Sequence, residues 1–392
     1  MSIIRTESFP SELLFEGHPL SYDTERKSIS LQVIQSENDL KQLQSEWNSL
    51  LEHSAANSIF LTWEWISTWW KYFHQRTKLW ITTARLTSTS ELVGIAPLGI
   101  RHHTKRTGMV ERSLIFLGNG QAAPDHLDFI IRVGYEAIVG KSFARMIWKE
   151  RHQWNQIRLE GLSSRSSVIH QLLQDYPHLY KKVDKTICPY LTLPNEWITL
   201  KKSLSKSMRY SIGRHERRLR KDYPGVVELK QVKQPDEIDS FISTLVKLHT
   251  VAQNRKNNEG LFSEQNMIEF HTEIAKIFLT KNWLRSYTLD VGRTSIAAIH
   301  CFQYNKIVSF YQSGFDLFWQ RYSPGTQIMK HAIAEAIREG NVRFDFLRGE
   351  EEYKFKWTKE VAIDLSFTLP LSLHTRLEFN LKELGRKIRD RL

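Results

Sequence analysis

Apolar positions along this chain change their spacing repeatedly, and each change marks an element. Leu31-Gln32-Val33-Ile34 reads as a strand, and Leu40, Leu43, Trp47 and Leu50 then recur at three- and four-residue steps that predict a helix. The stretch IFLTWEWISTWWKYF predicts a second helix, whose tryptophans at that spacing make a core rather than a platform for stacking sugars or bases. Strands follow at Ile81–Leu86 and Leu92–Ile100 around a turn at Thr87–Glu91. Asp128–Ile131 then leads to a helix near Tyr135–Trp148 and a strand WNQIRLEGL. The second half repeats the order: Leu284–Val291, a turn through Gly292, Ser295–Phe302, Lys306–Ser313, a helix from Thr326 to Glu339 and the strand VRFDFLRG. The fold class this predicts is α/β, as two related domains, each a mixed, mainly antiparallel sheet flanked by helices.

The halves differ where their helices begin. In RYSPGTQIMKHAIAEAIREG, Ser323, Pro324 and Gly325 predict a turn, Thr326 a cap, and Ile328, Ala332, Ile333, Ala336 and Ile337 one apolar face. Free N–H groups and the helix dipole make such a start a site for phosphate. The first half has IRVGYEAIVG in that place, with Gly134 but no Ser-Pro-Gly, so a nucleotide site is expected in the second half.

At 392 residues, with 41% apolar and 25% charged positions, the chain is long enough for two soluble domains. It has no apolar run long enough to span a bilayer and no secretory signal pattern at its start, so a cytosolic protein is expected. Cys188 and Cys301 have neither metal-site nor disulfide-framework spacing, and no metal is expected. The net charge of +12 favours anionic partners without choosing among them.

Much of that charge lies in LKKSLSKSMRYSIGRHERRLRK. Read as one helix from Leu200 to Lys221, it places Leu204, Met208, Ile212 and Leu219 on one side and Lys202, Lys206, Arg209, Arg217 and Arg220 on the other. Gly213 marks a bend or a close approach. Like charges repel, so an anionic counterpart is expected for the stripe: cofactor phosphates, an acidic glycan or RNA. The tail, 371–392, places Leu377, Leu381, Leu384 and Ile388 on one helical face among basic residues. Docking on the protein is its first expected use, and peripheral contact with the inner face of a membrane the alternative.

Several separated stretches together resemble the CelD-like branch of the GNAT acyltransferase superfamily, near the FemAB peptidyltransferases. They are SPGTQIMKHAIAEAIREGNVRFDFLRGEEEYKFKW, SIAAIH, SFYQSGFD and LSKSMRYSIGRHERRLRK, with FLTWEWISTWW, ELVGIAPLGIR and LIFLGNG in the first half. The resemblance runs from about Leu31 to Phe367 and implies tandem GNAT-like domains. It implies a degenerate domain at 29–195 and an acyltransferase domain at 196–370; residues 1–28, polar and without a sustained period, read as a flexible arm, and 371–392 as the basic C-terminal helix.

The resemblance also implies acyl-CoA or acetyl-CoA as co-substrate and an amine as acceptor. A pantetheine arm would lie against the backbone where the Lys306–Ser313 strand, with Gln312 and Ser313, parts from Val342–Leu347, and Ser323, Gly325 and Thr326 would receive the pyrophosphate. Glu351 would accept the amine proton, Tyr353 would protonate the thiolate, and Lys354 would neutralise phosphate or hold Asp345. Asp345 is a catalytic candidate on the strand's polar face, with an internal ion pair to Lys354 as its plainer role. His300, at the end of AAIH, is a reserve base or else a core histidine. An aminoacyl-tRNA-dependent transferase is the second expectation, with Lys206, Arg209, Arg217 and Arg220 along the RNA backbone. A non-catalytic glycan-binding protein of exopolysaccharide production is the third.

Overall fold

The computed structural model describes residues 28–105, 108–120, 122–177, 181–254, 262 and 264–389, the side chains of 252–254 and 382–389 excepted. The arm expected at 1–28 thus lies almost wholly outside the described residues. The first half contains β1 (Ile29–Ile34), α1 (Glu37–Gln42), α2 (Gln44–Glu52), α3 (Trp63–Phe73), β2 (Thr77–Leu79), β3 (Ile81–Leu86), β4 (Leu92–Ala96) and β5 (Leu98–Thr104). It continues with β6 (Val110–Phe116), β7 (Ile130–Ile131), α4 (Glu136–Lys149), β8 (Gln156–Ser163), α5 (Ser167–Asp175) and β9 (Lys182–Thr192). The second half holds α6 (Trp197–Ser203), α7 (Lys206–Asp222), β10 (Val227–Gln231), α8 (Glu237–Asn254), α9 (Gln265–Thr280), β11 (Leu284–Val291), β12 (Thr294–Tyr304) and β13 (Ile307–Phe315). It closes with α10 (Pro324–Arg338), β14 (Arg343–Asp345), α11 (Glu352–Phe355), β15 (Glu360–Pro370) and α12 (Leu373–Arg389).

These strands build a four-stranded sheet, β1-β3-β4-β7, and an eleven-stranded sheet, β10-β11-β12-β13-β14-β9-β15-β8-β6-β5-β2. The architecture is the mixed, mainly antiparallel α/β arrangement expected, and among the described strands only β13/β14 and β6/β8 pair in parallel. The expected strand Leu92–Ile100 is two strands in different sheets, parted at Pro97.

The halves are joined by exchanged strands. β9 lies between β14 and β15 of the second half, and β15 lies between β9 and β8 of the first. Apolar packing crosses the same boundary: the Trp65 ring sits edge-on to Phe60, Phe270 and Phe302, tying α3 to α9 and β12. Trp47, Trp65 and Trp69 are fully buried, as helical spacing required. A second core, containing Met208, Ile212, Ile328, Ile333 and Phe344, lies beneath α7 and α10. Gly314 lets α8 cross directly over β13, since a Cβ there would stand 2.4 Å from the His249 nitrogen.

Candidate active site

β13 and β14 pair through Ile307 with Arg343, Val308 with Phe344 and Ser309 with Asp345, and then part. β13 runs on to Phe315 with a bulge at Tyr311, and beyond Ser309 no strand among the described residues takes up its outer edge. The result is a wedge-shaped opening. Bulges bend a strand and re-aim its side chains, and they gather beside active sites. α10 starts against the far end of the same strand, where a Cβ on Gly325 would come within 3.3 Å of the Phe315 ring. Ser323, left-handed at φ 48°, is the cap residue and Pro324 the first helical position, so Thr326 lies inside the first turn instead of capping it. The Thr326 N–H already donates to the Ser323 carbonyl at 3.0 Å.

The other wall is the chain after β14. Gly349, at φ 116°, turns it, and Tyr353 comes to 6.5 Å, ring centre to ring centre, from Phe310. Burial of its hydroxyl and the neighbouring Glu351 carboxylate push the Tyr353 pKa up, so the phenol keeps its proton at neutral pH. Glu351 is half-exposed and stands 3.0 Å from the Lys354 ammonium.

A loop of the first half closes the inner end of the wedge. The Tyr311 hydroxyl donates to the Ala122 carbonyl at 2.6 Å, and Arg348 binds Asp125 through its backbone N–H at 2.7 Å and its Nε at 2.5 Å. Between them His126 is held by two carboxylates, Nδ1 at 3.0 Å from Asp364 and Nε2 at 3.3 Å from Asp345. Burial opposes its charge, but attraction to Asp345 and hydrogen bonds to both carboxylates raise the His126 pKa well above the ordinary 6.5. Asp345 is correspondingly lowered against its own burial, and burial raises the neighbouring Asp128 to about 7. His126, Cys188 and Asp364 have donor atoms within 4.8 Å of one another, the spacing of metal ligands. Burial keeps the Cys188 thiol protonated, however, and both imidazole nitrogens face carboxylates, which is the arrangement of an ion-paired imidazolium.

The first half has a similar opening and fills it itself. β6 and β8 pair in parallel through only Ser113 with Gln156 and Leu114 with Ile157. Past that point Leu127 takes the β8 edge, its N–H donating to Gly161 at 2.7 Å and its carbonyl accepting from Ser163 at 2.8 Å. At the start of α4 the Gly134 N–H donates to the chain's own Glu136 carboxylate.

Residues 206–355 match the family described as acetyltransferase (GNAT) domain. The match covers most of the second half. In fold, the whole chain is similar to a structure described as FemX, with TM-score 0.58 and 7% identity over 86% of this chain and 98% of that one. It is also similar to a protein of unknown function from Bacteroides thetaiotaomicron, with TM-score 0.51 and 11% identity over 87% of this chain and 100% of that one. A third is the C-terminal domain of a putative lysylphosphatidylglycerol synthetase from Agrobacterium fabrum, with TM-score 0.50 and 10% identity over 86% and 94%. No curated protein matches the sequence.

Of the expected site residues, Gln312 and Ser313 lie on β13 beyond its pairing with β14, Tyr353 approaches that strand at Phe310, and Gly325, behind the Ser323 cap, approaches it at Phe315. Other candidates fall elsewhere. Lys354 is buried, its ammonium bound to the Arg348 carbonyl at 2.5 Å and the Leu347 carbonyl at 3.3 Å, so it pins the turn and faces neither a phosphate nor Asp345. Asp345 is buried against His126, Arg343 and the Leu347 N–H. His300 is fully buried, its Nδ1 2.7 Å from the Ser286 hydroxyl, and burial lowers its pKa to about 3: it is the core histidine and not a base at the cleft.

The basic helix is two helices, broken at Leu204 and Ser205, where Ser205 caps α7 through the Met208 N–H. Leu204, Met208, Ile212 and Leu219 are buried as expected. Arg209 is spent on the break, donating to the carbonyls of Lys202 and Leu204. Glu216 faces both Arg220 and Lys330, so the stripe is not free of acids. Lys202, Lys206, Arg217 and Arg220 remain exposed. α7 runs unbroken through Gly213, whose bare backbone admits the Arg217 guanidinium. In the tail, the Thr375 hydroxyl donates to the Asn155 carbonyl at 3.0 Å while Leu377 and Leu381 stand exposed, which corrects the expectation that they pack on the protein; the side chains of Leu384 and Ile388 lie outside the described residues. No described helix is long and apolar enough to cross a membrane. Sequence reasoning missed Asp125, His126, Asp128, Arg348 and Asp364. The signal for the first three is PDHLDF, charged residues set inside an otherwise apolar run, and Arg348 and Asp364 gave none.

Proposed function

We propose that the second domain, 196–370, moves an acyl group from an acyl-CoA, acetyl-CoA being the first to test, to an amine. The observation that carries this reading is the wedge between β13 and β14 beside the start of α10, open in the second half while its counterpart in the first is filled by Leu127. In this reading the pantetheine follows the free edge of β13 past Gln312 and Ser313, and its pyrophosphate meets Ser323, Gly325 and Thr326. The amine attacks the thioester carbonyl, the C–N bond forms and the C–S bond breaks. Tyr353 gives its proton to the departing sulfur, and Glu351 takes the proton the amine loses. The acceptor is an amine of a saccharide precursor or an envelope component, in the cytosol, consistent with a CelD-like role.

Titration calorimetry with acetyl-CoA and free CoA tests the reading. Gly325→Asp sets a carboxylate at the phosphate position and should abolish binding, while Gly134→Asp in the first half should leave affinity unchanged. Equal loss in both variants, or binding untouched in both, overturns it. No heat from any acyl-CoA would favour the non-catalytic glycan-binding reading. A second reading, an aminoacyl-tRNA donor, is favoured by the exposed Lys206, Arg217 and Arg220 on α7. A salt-dependent shift on adding aminoacyl-tRNA, with none on adding acyl-CoA, would establish it.

A further inference from the structure

We propose that residues 122–126 of the first half form a strap that sets the width of the wedge and so places Tyr353 against the donor. Asp125 is thereby a positioning residue for the acyl transfer, a role that rests on the function proposed for the wedge. The segment is tied to both walls. On one side the Tyr311 hydroxyl, at the β13 bulge, donates to the Ala122 carbonyl at 2.6 Å, and the Tyr311 ring packs against Phe60 and Trp65 of the first half. On the other side the Arg348 guanidinium meets the Pro124 carbonyl and the Asp125 carboxylate, which also accepts the Arg348 backbone N–H at 2.7 Å. His126 adds a third tie, to Asp345 at the last residue of β14.

These ties exceed what a connecting loop needs. Ala123 and His126 are held left-handed at φ 40° and 57°, a conformation that residues other than glycine avoid and that persists only where the surroundings impose it. Asp125 is fully buried, so its carboxylate meets Arg348 and not solvent. Gly161 on β8 makes room for the strap, since a Cβ there would stand 2.8 Å from the Pro124 carbonyl oxygen. The next residue along, Leu127, fills the first half's own opening. One segment therefore closes the opening of the first half and spans that of the second.

From Asp125 a short path leads to the phenol. The Arg348 carbonyl accepts from the buried Lys354 ammonium, and Gly349 makes the turn between them, its N–H fixed to the Ile187 carbonyl at 3.0 Å. Tyr353 directly precedes Lys354 and faces Phe310 on the opposite wall. Any outward movement of Arg348 therefore carries the phenol away from β13. Misplacing a reacting group by about 1 Å costs about 100-fold in rate, so the ties act on turnover more than on donor affinity.

Two variants of the full chain test this. Asp125→Asn keeps the side chain's size and removes the charge that grips Arg348, and Tyr311→Phe removes only the hydroxyl tie on the other wall. With acetyl-CoA and an amine, each should lower kcat about 10- to 100-fold and leave the KM for the donor unchanged. Placed in Tyr353→Phe, neither should cost much further, whereas a residue that only supports the fold costs the same in both backgrounds. Hydrogen exchange without ligand gives a second readout: each variant should speed exchange on both walls, at 310–315 and at 346–357, because both walls are held by one strap. Equal loss in the two backgrounds, or faster exchange confined to the wall whose tie is cut, overturns the proposal. If the unaltered chain turns over no acyl-CoA while both walls still loosen together in the variants, the strap stands and the acyl-CoA reading of the wedge falls.

Discussion

Tyr353 and His126 both hold their protons, one as a neutral phenol and the other as a cation. Tyr353, raised by burial and by Glu351, keeps its proton and suits an acid that acts late, on the leaving sulfur. Tyr353→Phe should lower kcat about 100-fold with little change in acyl-CoA affinity, since the phenol acts on charge that develops only in the transition state. A kcat unchanged in single-turnover kinetics would remove Tyr353 from the chemistry. His126 carries charge into the joint between the halves. A histidine whose folded pKa exceeds its unfolded value lends stability below that unfolded value and loses it as pH rises through the folded one. His126→Gln should therefore cost about 3–5 kcal/mol near pH 6, because Asp364 is left buried without its cation and Asp345 keeps only Arg343. It should also flatten the alkaline decline in melting temperature. Asp128, raised to about 7, adds a decline of the same sign between about pH 4 and pH 7, which Asp128→Asn should remove. Tyr353 was named from the sequence; the His126 cluster was not legible there. His126 and Asp364 lie 238 positions apart, and the left-handed backbone that aims the loop, at Ala123 and His126, falls on residues that give no turn signal.

At the scale of elements, those whose apolar period matched their shape were legible. α3, α10 and β11 through β13 stand where spacing put them, because each buries one regular face. β14 was read too long: only Arg343–Asp345 pair, since Leu347 turns left-handed at φ 55° and its N–H bonds to the Asp345 carboxylate. The break between α6 and α7 was hidden because apolar spacing continues across Leu204, and only the Ser205 cap interrupts it. Two arginines of one stripe consequently have different roles. Arg209→Ala should lower stability by about 1 kcal/mol, the usual worth of such hydrogen bonds, with no effect on ligand salt dependence. Arg217→Ala should leave the melting temperature alone and reduce the salt slope of whichever anionic ligand binds. If both variants lose stability alike, or both alter the salt slope alike, the division between a helix brace and a ligand contact fails.

For the whole molecule, the repeat of strand and helix order across the two halves was readable, and the exchange of β9 and β15 was not. Nothing local distinguishes a strand that pairs at home from one that pairs abroad. Each of these strands finds both of its neighbours in the other half, so residues 29–195 or 196–370 made alone would leave long edges unpaired. Each fragment should be insoluble by itself, and the two should give a soluble complex when produced together. A soluble, cooperatively melting single fragment would contradict this.

The exchange also sets a timetable for synthesis. Pairing of β8 and β9 with β15 must wait for some of the last residues to leave the ribosome. At roughly 5–20 residues per second that interval is on the order of 10–40 s. Throughout it β9 has no strand neighbour, and the buried carboxylate Asp364 that will hold His126 does not yet exist. A nascent chain stalled near residue 340 should bind general chaperones that the finished protein ignores, and slowing translation should lengthen that dependence in proportion.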